Sequence, residues 1–351
     1  MAKPDSKPAA PRRGSPWIIG LLACLAVLGL ALISLASGYI TFSLSEIVSI
    51  LSGSTSVESR AMIILDVRLP RIATAILSGA ALGLSGAVFQ GLLLNPLADP
   101  YTLGVSSGAA FGAALVILGG MLLPEAVFLS TPWAITAGAF VAACLTLGSV
   151  VTLGRGRDGR LLPTNLILAG VIISAILSAA ISFIKYLSGD QVGSIVFWLL
   201  GSFQARTWLD AGVILVFLVP AAVTCLIYAV DINIMTMGVR TAETLGVNTA
   251  RVRLILLAAA SLAAAAAVSV AGVIGFVGLI VPHFVRMGTG PDHRSLVPLS
   301  ALAGALLLLA ADTLVRVVLP GEIPVGVLTA LLAGPVFLVL FKKKMTAYGN
   351  E

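Results

Sequence analysis

Residues 72–100 read IATAILSGAALGLSGAVFQGLLLNPLADP. The first part, Ile72 to Leu94, holds no charged residue. A second apolar run, Tyr101 to Leu123, follows directly. Between them lies LNPLADP, residues 94–100, with Asn95, Asp99 and two prolines. A helix needs about 20 apolar residues to cross the hydrocarbon core of a bilayer, and each run meets that length. Proline cannot continue a helix, and it pushes the residue before it out of the helical region. The stretch therefore reads as two membrane helices joined by a stiff polar turn.

The rest of the chain repeats the pattern. Of 351 residues, 59% are hydrophobic and 10% charged; a soluble domain carries about 25% charged residues. So much apolar surface does not fit inside one core, and the solvent implied is lipid. Spanning segments must satisfy their own backbone hydrogen bonds. The apolar runs are continuous and do not alternate, so helices are expected and a barrel is not. Spans are expected at 17–37, 70–93, 102–122, 131–153, 162–187, 208–230, 250–271, 273–287, 297–319 and 324–341. This is an all-α polytopic membrane protein of about ten helices, the eighth short and interrupted by Pro282. The run from Trp17 follows a basic tail but exceeds the roughly 7–15 residues of a signal-peptide core, so it reads as a retained first helix. Residues 1–16 form an N-tail, 17–342 one transmembrane domain and 343–351 a C-tail.

Lys and Arg favour the cytoplasmic side of a membrane. With the N-tail inside, alternation puts Lys3, Lys7, Arg12, Arg13, Arg155, Arg157, Arg160, Arg240, Arg251, Arg253, Arg286, Arg294 and Lys342–Lys344 inside. It leaves Arg60, Arg68, Arg71, Lys185, Arg206 and Arg316 outside. The bias exceeds two to one, so both termini are expected in the cytoplasm. LNPLADP is then a cytoplasmic turn. Residues 38–69 and 188–207 become outer loops, the second carrying a helix too short to span. Residues 231–250, DINIMTMGVRTAETLGVNTA, are polar enough to leave the membrane as two short helices hinged near Gly238 or Gly246.

Several single features have plain accounts. GRGRDG (154–159) matches G-x-G-x-x-G, but it follows a membrane helix, not a strand, and reads as a basic loop. Cys24, Cys144 and Cys225 stand alone in apolar runs and read as small core residues. His283 suits capping or loop packing better than haem ligation, and His293 reads as a loop residue. Gly79 and Gly83, and Gly104, Gly108 and Gly112, have the spacing of close helix packing. Asp312 is an acid within a span, a functional candidate by default; Arg316, one turn on, offers an ion-pair partner instead. Arg68, Arg71 and Arg316 at the outer mouth fit either snorkelling to lipid phosphates or docking of an acidic partner. No basic patch interleaved with aromatics implies nucleic acid.

Four blocks together resemble one family. RLPRIATAILSGAALGLSGAVFQGLLLNPLADPYTLGVSSGAAFG (68–112), AETLGVNTARVR (242–253), GVIGFVGLIVPHFVR (272–286) and ADTLVRVVLPGEIPVGVLTALLAGPVFLVLF (311–341) are similar, in order, to the FecCD-type permeases. These are the membrane subunits of ATP-binding-cassette importers for iron chelates, haem and vitamin B12. The resemblance implies a vitamin B12-importer-like fold (type II importer) in a bacterial inner membrane. It implies a homodimer with two ATP-binding subunits inside and a substrate-binding protein outside. It assigns Arg68, Arg71 and Arg316 to docking; Asn95, Leu97, Thr164 and Asn165 to a cytoplasmic gate; and Gly238, Arg240, Glu243, Leu245 and Gly246 to ATPase coupling. No cofactor is implied, and the chain is not expected to be an enzyme: G-x-x-x-x-G-K-[ST] is absent, so ATP chemistry would lie in another chain. A ferric siderophore is the favoured cargo, with haem and cobalamin open. The rival reading is an ion-coupled carrier using Asp312.

Overall fold

The computed structural model describes residues 15–54, 58–156, 161–318 and 323–335. Most of the expected N-tail, the whole C-tail and the last residues of the tenth span lie outside the described residues. So do residues 157–160, with Arg157 and Arg160, and Lys342–Lys344.

The helices in chain order are α1 (Pro16–Ala36), α2 (Leu44–Leu51), α3 (Glu58–Met62), α4 (Leu69–Leu92), α5 (Val105–Leu122), α6 (Pro132–Leu153), α7 (Pro163–Leu187), α8 (Gly193–Leu200), α9 (Trp208–Ile227), α10 (Ala229–Met235), α11 (Val239–Thr244), α12 (Thr249–Ala271), α13 (Val277–Thr289), α14 (His293–Val318) and α15 (Val325–Pro335). Among the described residues, eight helical segments are long and apolar enough to cross a membrane. The shorter apolar helix α15, and the 13-residue α13 that contains Pro282, bring the set near the ten expected.

One boundary moves. Residues 58–68, expected within an outer loop, are helical and run into α4 as one 35-residue rod. Pro70 has no N–H to give to the preceding turn. The chain absorbs the mismatch in a π-helical stretch over Ile63–Arg68, where the Leu69 N–H reaches back to Ile64 O. Such bulges let a helix continue past a missing bond. Ahead of it, α2 opens on a capping box: Glu46 N–H donates to Ser43 Oγ (3.2 Å), and Ser43 N–H to Glu46 (2.9 Å).

Lipid offers helices little hydrophobic reason to associate, so small residues that admit close packing carry the assembly. The antiparallel pair α4 and α14 shows this. A Cβ added to Gly79 would sit 2.2 Å from Gly304 O, and one added to Gly83 would sit 2.1 Å from Ser300 O. Gly108 and Gly112 pack in the same way on α6, against Thr146 and Gly138. Helix α4 also packs on α9, α12 and α13, and Ser85 Oγ donates to Ala260 O of α12 at 2.7 Å. Thus α4 and α12 form the buried centre, whereas α1 and α7 leave most of their surface uncovered.

Candidate functional site

Helix α4 alone separates two polar clusters by its length of about 36 Å. At its start lie the arginines. Arg71 grips Asp312 of α14, Nε to both carboxylate oxygens (3.1 and 3.0 Å) and Nη2 to Oδ1 (2.9 Å). The carboxylate is wholly buried. A cation on another helix, which the sequence does not point to, thus clasps Asp312 and fastens α4 to α14. Arg68, also buried, donates to the carbonyls of Leu35 and Ile40. Arg316 donates to the Ser34 carbonyl and to Ser34 Oγ (2.7 Å). The Ser34 and Leu35 carbonyls lie where α1 ends, at groups without helical partners. Gly38 brings Arg68 and Arg316 together, since a Cβ there would lie 2.9 Å from one guanidinium and 3.6 Å from the other. Arg60, which no sequence motif singles out, completes the cluster. It pairs with Glu46 at 3.1 Å and lies, like Arg68, over the Phe42 ring, at 4.7 and 4.8 Å respectively. The three expected docking residues are therefore adjacent, but Arg68 and Arg71 are turned inward to partners in their own chain.

At the other end of α4, LNPLADP makes a tight turn. Leu94 takes a left-handed φ of 51°. The Asn95 side chain accepts from the Leu97 N–H at 3.0 Å, and Asn95 O from the Ala98 N–H at 3.0 Å. Asp99 caps a short 3-10 turn, accepting from the Thr102 N–H at 2.9 Å. Burial pushes the Asp99 carboxyl up to about 6 despite that bond. It also raises Tyr101, whose hydroxyl donates to Ile274 O at 2.9 Å. Ile274 belongs to an irregular stretch between α12 and α13 that contains Phe276 at φ 68°. Such backbone is tolerated at membrane depth where protein partners cover it. Gln90 ties the same corner: it donates to Leu279 O at 3.1 Å and accepts from Arg286 at 2.9 Å. Asn95 is half-buried and Leu97 exposed. Helix α7, which carries Thr164 and Asn165 in its first turn, meets the turn further along: a Cβ on Gly170 would lie 2.2 Å from Thr102 O.

Residues 231–250 do form two short helices. Gly238, at φ 115°, separates α10 from α11, and Gly246, at φ 86°, ends α11. A left-handed φ is costly for residues other than glycine. Ala242 and Val247 are buried, while Arg240, Glu243, Leu245 and Gly246 face outward. Thr249 Oγ1 donates to Glu243 at 3.2 Å.

His293, expected in a loop, is instead buried at the start of α14. Its backbone N–H and its Nδ1 both meet Asn233 Oδ1, at 2.9 and 2.7 Å. Asn233 Nδ2 donates to Asp292 at 2.8 Å. Arg294 pairs with Asp292 at 2.7 Å and holds its carboxyl well below the usual range. A buried histidine and a distant asparagine have no sequence signal that joins them.

The chain's residues 25–343 match the FecCD transport family. A solved structure described as an inward-facing conformation of a putative metal-chelate type ABC transporter superposes with a TM-score of 0.81, at 33% identity, covering 94% of this chain and all of that one. The hemin transport system permease protein HmuU of Yersinia pestis is 40% identical over 80% of this chain and 83% of its own. The ferric enterobactin transport system permease protein FepD of Escherichia coli K12 is 36% identical over 93% and 94%. The chain therefore belongs to the FecCD transport family, the multi-pass permeases of ATP-binding-cassette importers. These relatives are named as transport permeases, not as enzymes.

Proposed function

We propose that the chain is the membrane half of an ATP-driven importer for a ferric siderophore or a related iron complex. It works as a homodimer, with two ATP-binding subunits on the cytoplasmic side and a substrate-binding protein outside. The observation that carries this reading is the α10–α11 pair. It is hinged at Gly238, rooted by Ala242 and Val247, and presents Arg240, Glu243 and Leu245 outward. A carrier driven by an ion gradient needs no such projection. The Arg71 clasp on Asp312 also supports a structural role for that carboxylate over the relay an ion-coupled reading needs.

The other assignments follow this frame. Asn95 and Leu97 in the turn, with Thr164 and Asn165 at the head of α7, close the cytoplasmic end of the path. The arginine cluster receives acidic residues of the binding protein. Arg316 and the half-exposed Arg60 meet the partner first, with Arg68 and Arg71 behind them maintaining the positive field. A cavity of about 750 Å³, lined by Phe197, Trp198, Gln191, Gln204 and Arg206, is a first resting place for a bulky chelate. Iron cargo follows the ferric enterobactin relative, although the haem relative is similar too.

Gentle extraction from the native membrane tests the reading. An ATPase should co-purify in equal amount, and uptake into vesicles should require ATP, the binding protein and a ferric siderophore. A chain that purifies alone and moves solute on an ion gradient would overturn it. Uptake of haem or cobalamin in place of the ferric siderophore would correct the cargo only.

A further inference from the structure

We infer that Asn233 and His293 form a clamp that makes the coupling segment and the gate-bearing helix pair move as one body. This rests on the reading of α10–α11 as the ATPase contact. Asn233 sits on α10, five residues before Gly238. The Asp292 carboxylate can only accept, so the Asn233 amide must turn its NH₂ toward it, which leaves Oδ1 for His293. That oxygen then receives both the His293 backbone N–H and Nδ1–H, which fixes the ring's tautomer. The ring in turn lies flush on α4: a Cβ on Gly91 would fall 2.5 Å from His293 Nε2 and 2.6 Å from Ile232 on α10. Gly91 is three residues before the turn that holds Asn95 and Leu97. Helix α4 is itself welded to α14 at three further levels, Gly83 on Ser300, Gly79 on Gly304 and Arg71 on Asp312.

The clamp thus completes a continuous solid path. A push on α11 reaches α10, then Asn233, then His293, and arrives at Gly91 beside the gate. Directional, partly buried hydrogen bonds of this kind hold two elements in a single relative geometry, where an apolar contact would let them slide. Asn233 and His293 are positioning residues, and neither touches cargo or nucleotide.

The test reads the gate, not growth. In the permease–ATPase complex from the native membrane, with Cys24, Cys144 and Cys225 replaced by alanine, Leu97→Cys reports exposure through its rate of maleimide labelling. In this parent, ATP with vanadate should change that rate at least five-fold. Asn233→Leu should retain the ATPase and its hydrolysis yet cut the change below two-fold. His293→Leu should do the same, whereas His293→Gln, which can donate to Asn233 Oδ1, should keep most of it. If Asn233→Leu does not assemble, the His293 pair decides. A full response in His293→Leu refutes the clamp. A parent that binds no ATPase, or whose introduced thiol ignores nucleotide, defeats the coupling reading instead, and the clamp falls with it.

Discussion

Asp312 and Arg71 lie 241 positions apart in sequence, yet each is the other's buried charge partner. Removing one member of such a pair strands the other without water, at a cost of about 3–5 kcal/mol, whereas replacing both with apolar groups is often neutral. Asp312→Leu alone should therefore lower the thermal midpoint in detergent sharply. The double variant Arg71→Leu, Asp312→Leu should recover most of the loss. Additive losses across the cycle would show that the pair is not coupled. Asp99 makes a prediction of opposite sign. Its carboxyl is raised to about 6 from an ordinary 3.8, because burial outweighs its bonds to the turn. A raised acid pKa means that the folded state prefers the protonated form. The contribution to stability is then greatest below about 4 and declines as pH rises towards about 6. Asp99→Asn keeps the oxygen that caps Thr102 and drops the buried charge. It should unfold at a higher temperature than the parent at a pH of about 7.5, and the gap should shrink by more than half near pH 4.5, as the linkage requires. Parallel pH profiles of the two proteins would count against a buried charge.

Among the elements, the α10–α11 pair proposed for coupling depends on two backbone conformations. Nothing lies within 4 Å of a Cβ built on Gly246, so space does not require glycine there; the φ of 86° does. Left-handed backbone costs a bulky residue about 1–2 kcal/mol, which this six-residue helix can avoid by re-forming its end. Gly246→Leu should leave folding and hydrolysis intact while uptake per ATP falls several-fold in proteoliposomes. An unchanged ratio would remove Gly246 from the coupling machinery. The same elements show what sequence carries. The hinge glycines, the prolines of LNPLADP and the length of each span are local properties, readable one residue at a time. The π-helical run before Pro70 is not, because the chain solves the missing N–H by borrowing turns from residues that resemble loop. The partner of Asp312 is hidden for another reason. An i,i+4 neighbour is visible in sequence, but a clasp between antiparallel helices needs their register. That register comes from where Gly79, Gly83, Ser300 and Gly304 touch. The glycine spacing announces tight packing without naming the partner helix, and His293 reads as loop because its asparagine lies 60 residues away.

For the whole molecule, the geometry of one chain bears on which bare surface meets lipid and which meets a second copy. Helices α1 and α7 are the least covered. Leu25 on α1 is 56% exposed and Ile176 on α7 is 62% exposed, so exposure alone does not separate them. Polarity does. The open face of α7 includes Ser178 and Ser182, whereas the open face of α1 from Leu21 to Ile33 is apolar apart from Cys24. Hydrocarbon gives serine nothing, while small hydroxyl residues favour close approach of a second helix or contact with a watered path. Helix α7 also begins with Thr164 and Asn165 and packs through Gly170 on Thr102, just after the LNPLADP turn. A dimer axis beside α7 would place both gate turns, one from each copy, around a single path. In a variant with the three native cysteines replaced, Ile176→Cys should form a disulfide-linked dimer within minutes of mild oxidation in the native membrane. Leu25→Cys should remain un-cross-linked at the same expression level. Cross-linking through α1 but not α7 would turn the dimer around, move the path to the other side of the bundle, and detach the LNPLADP turn from any gate.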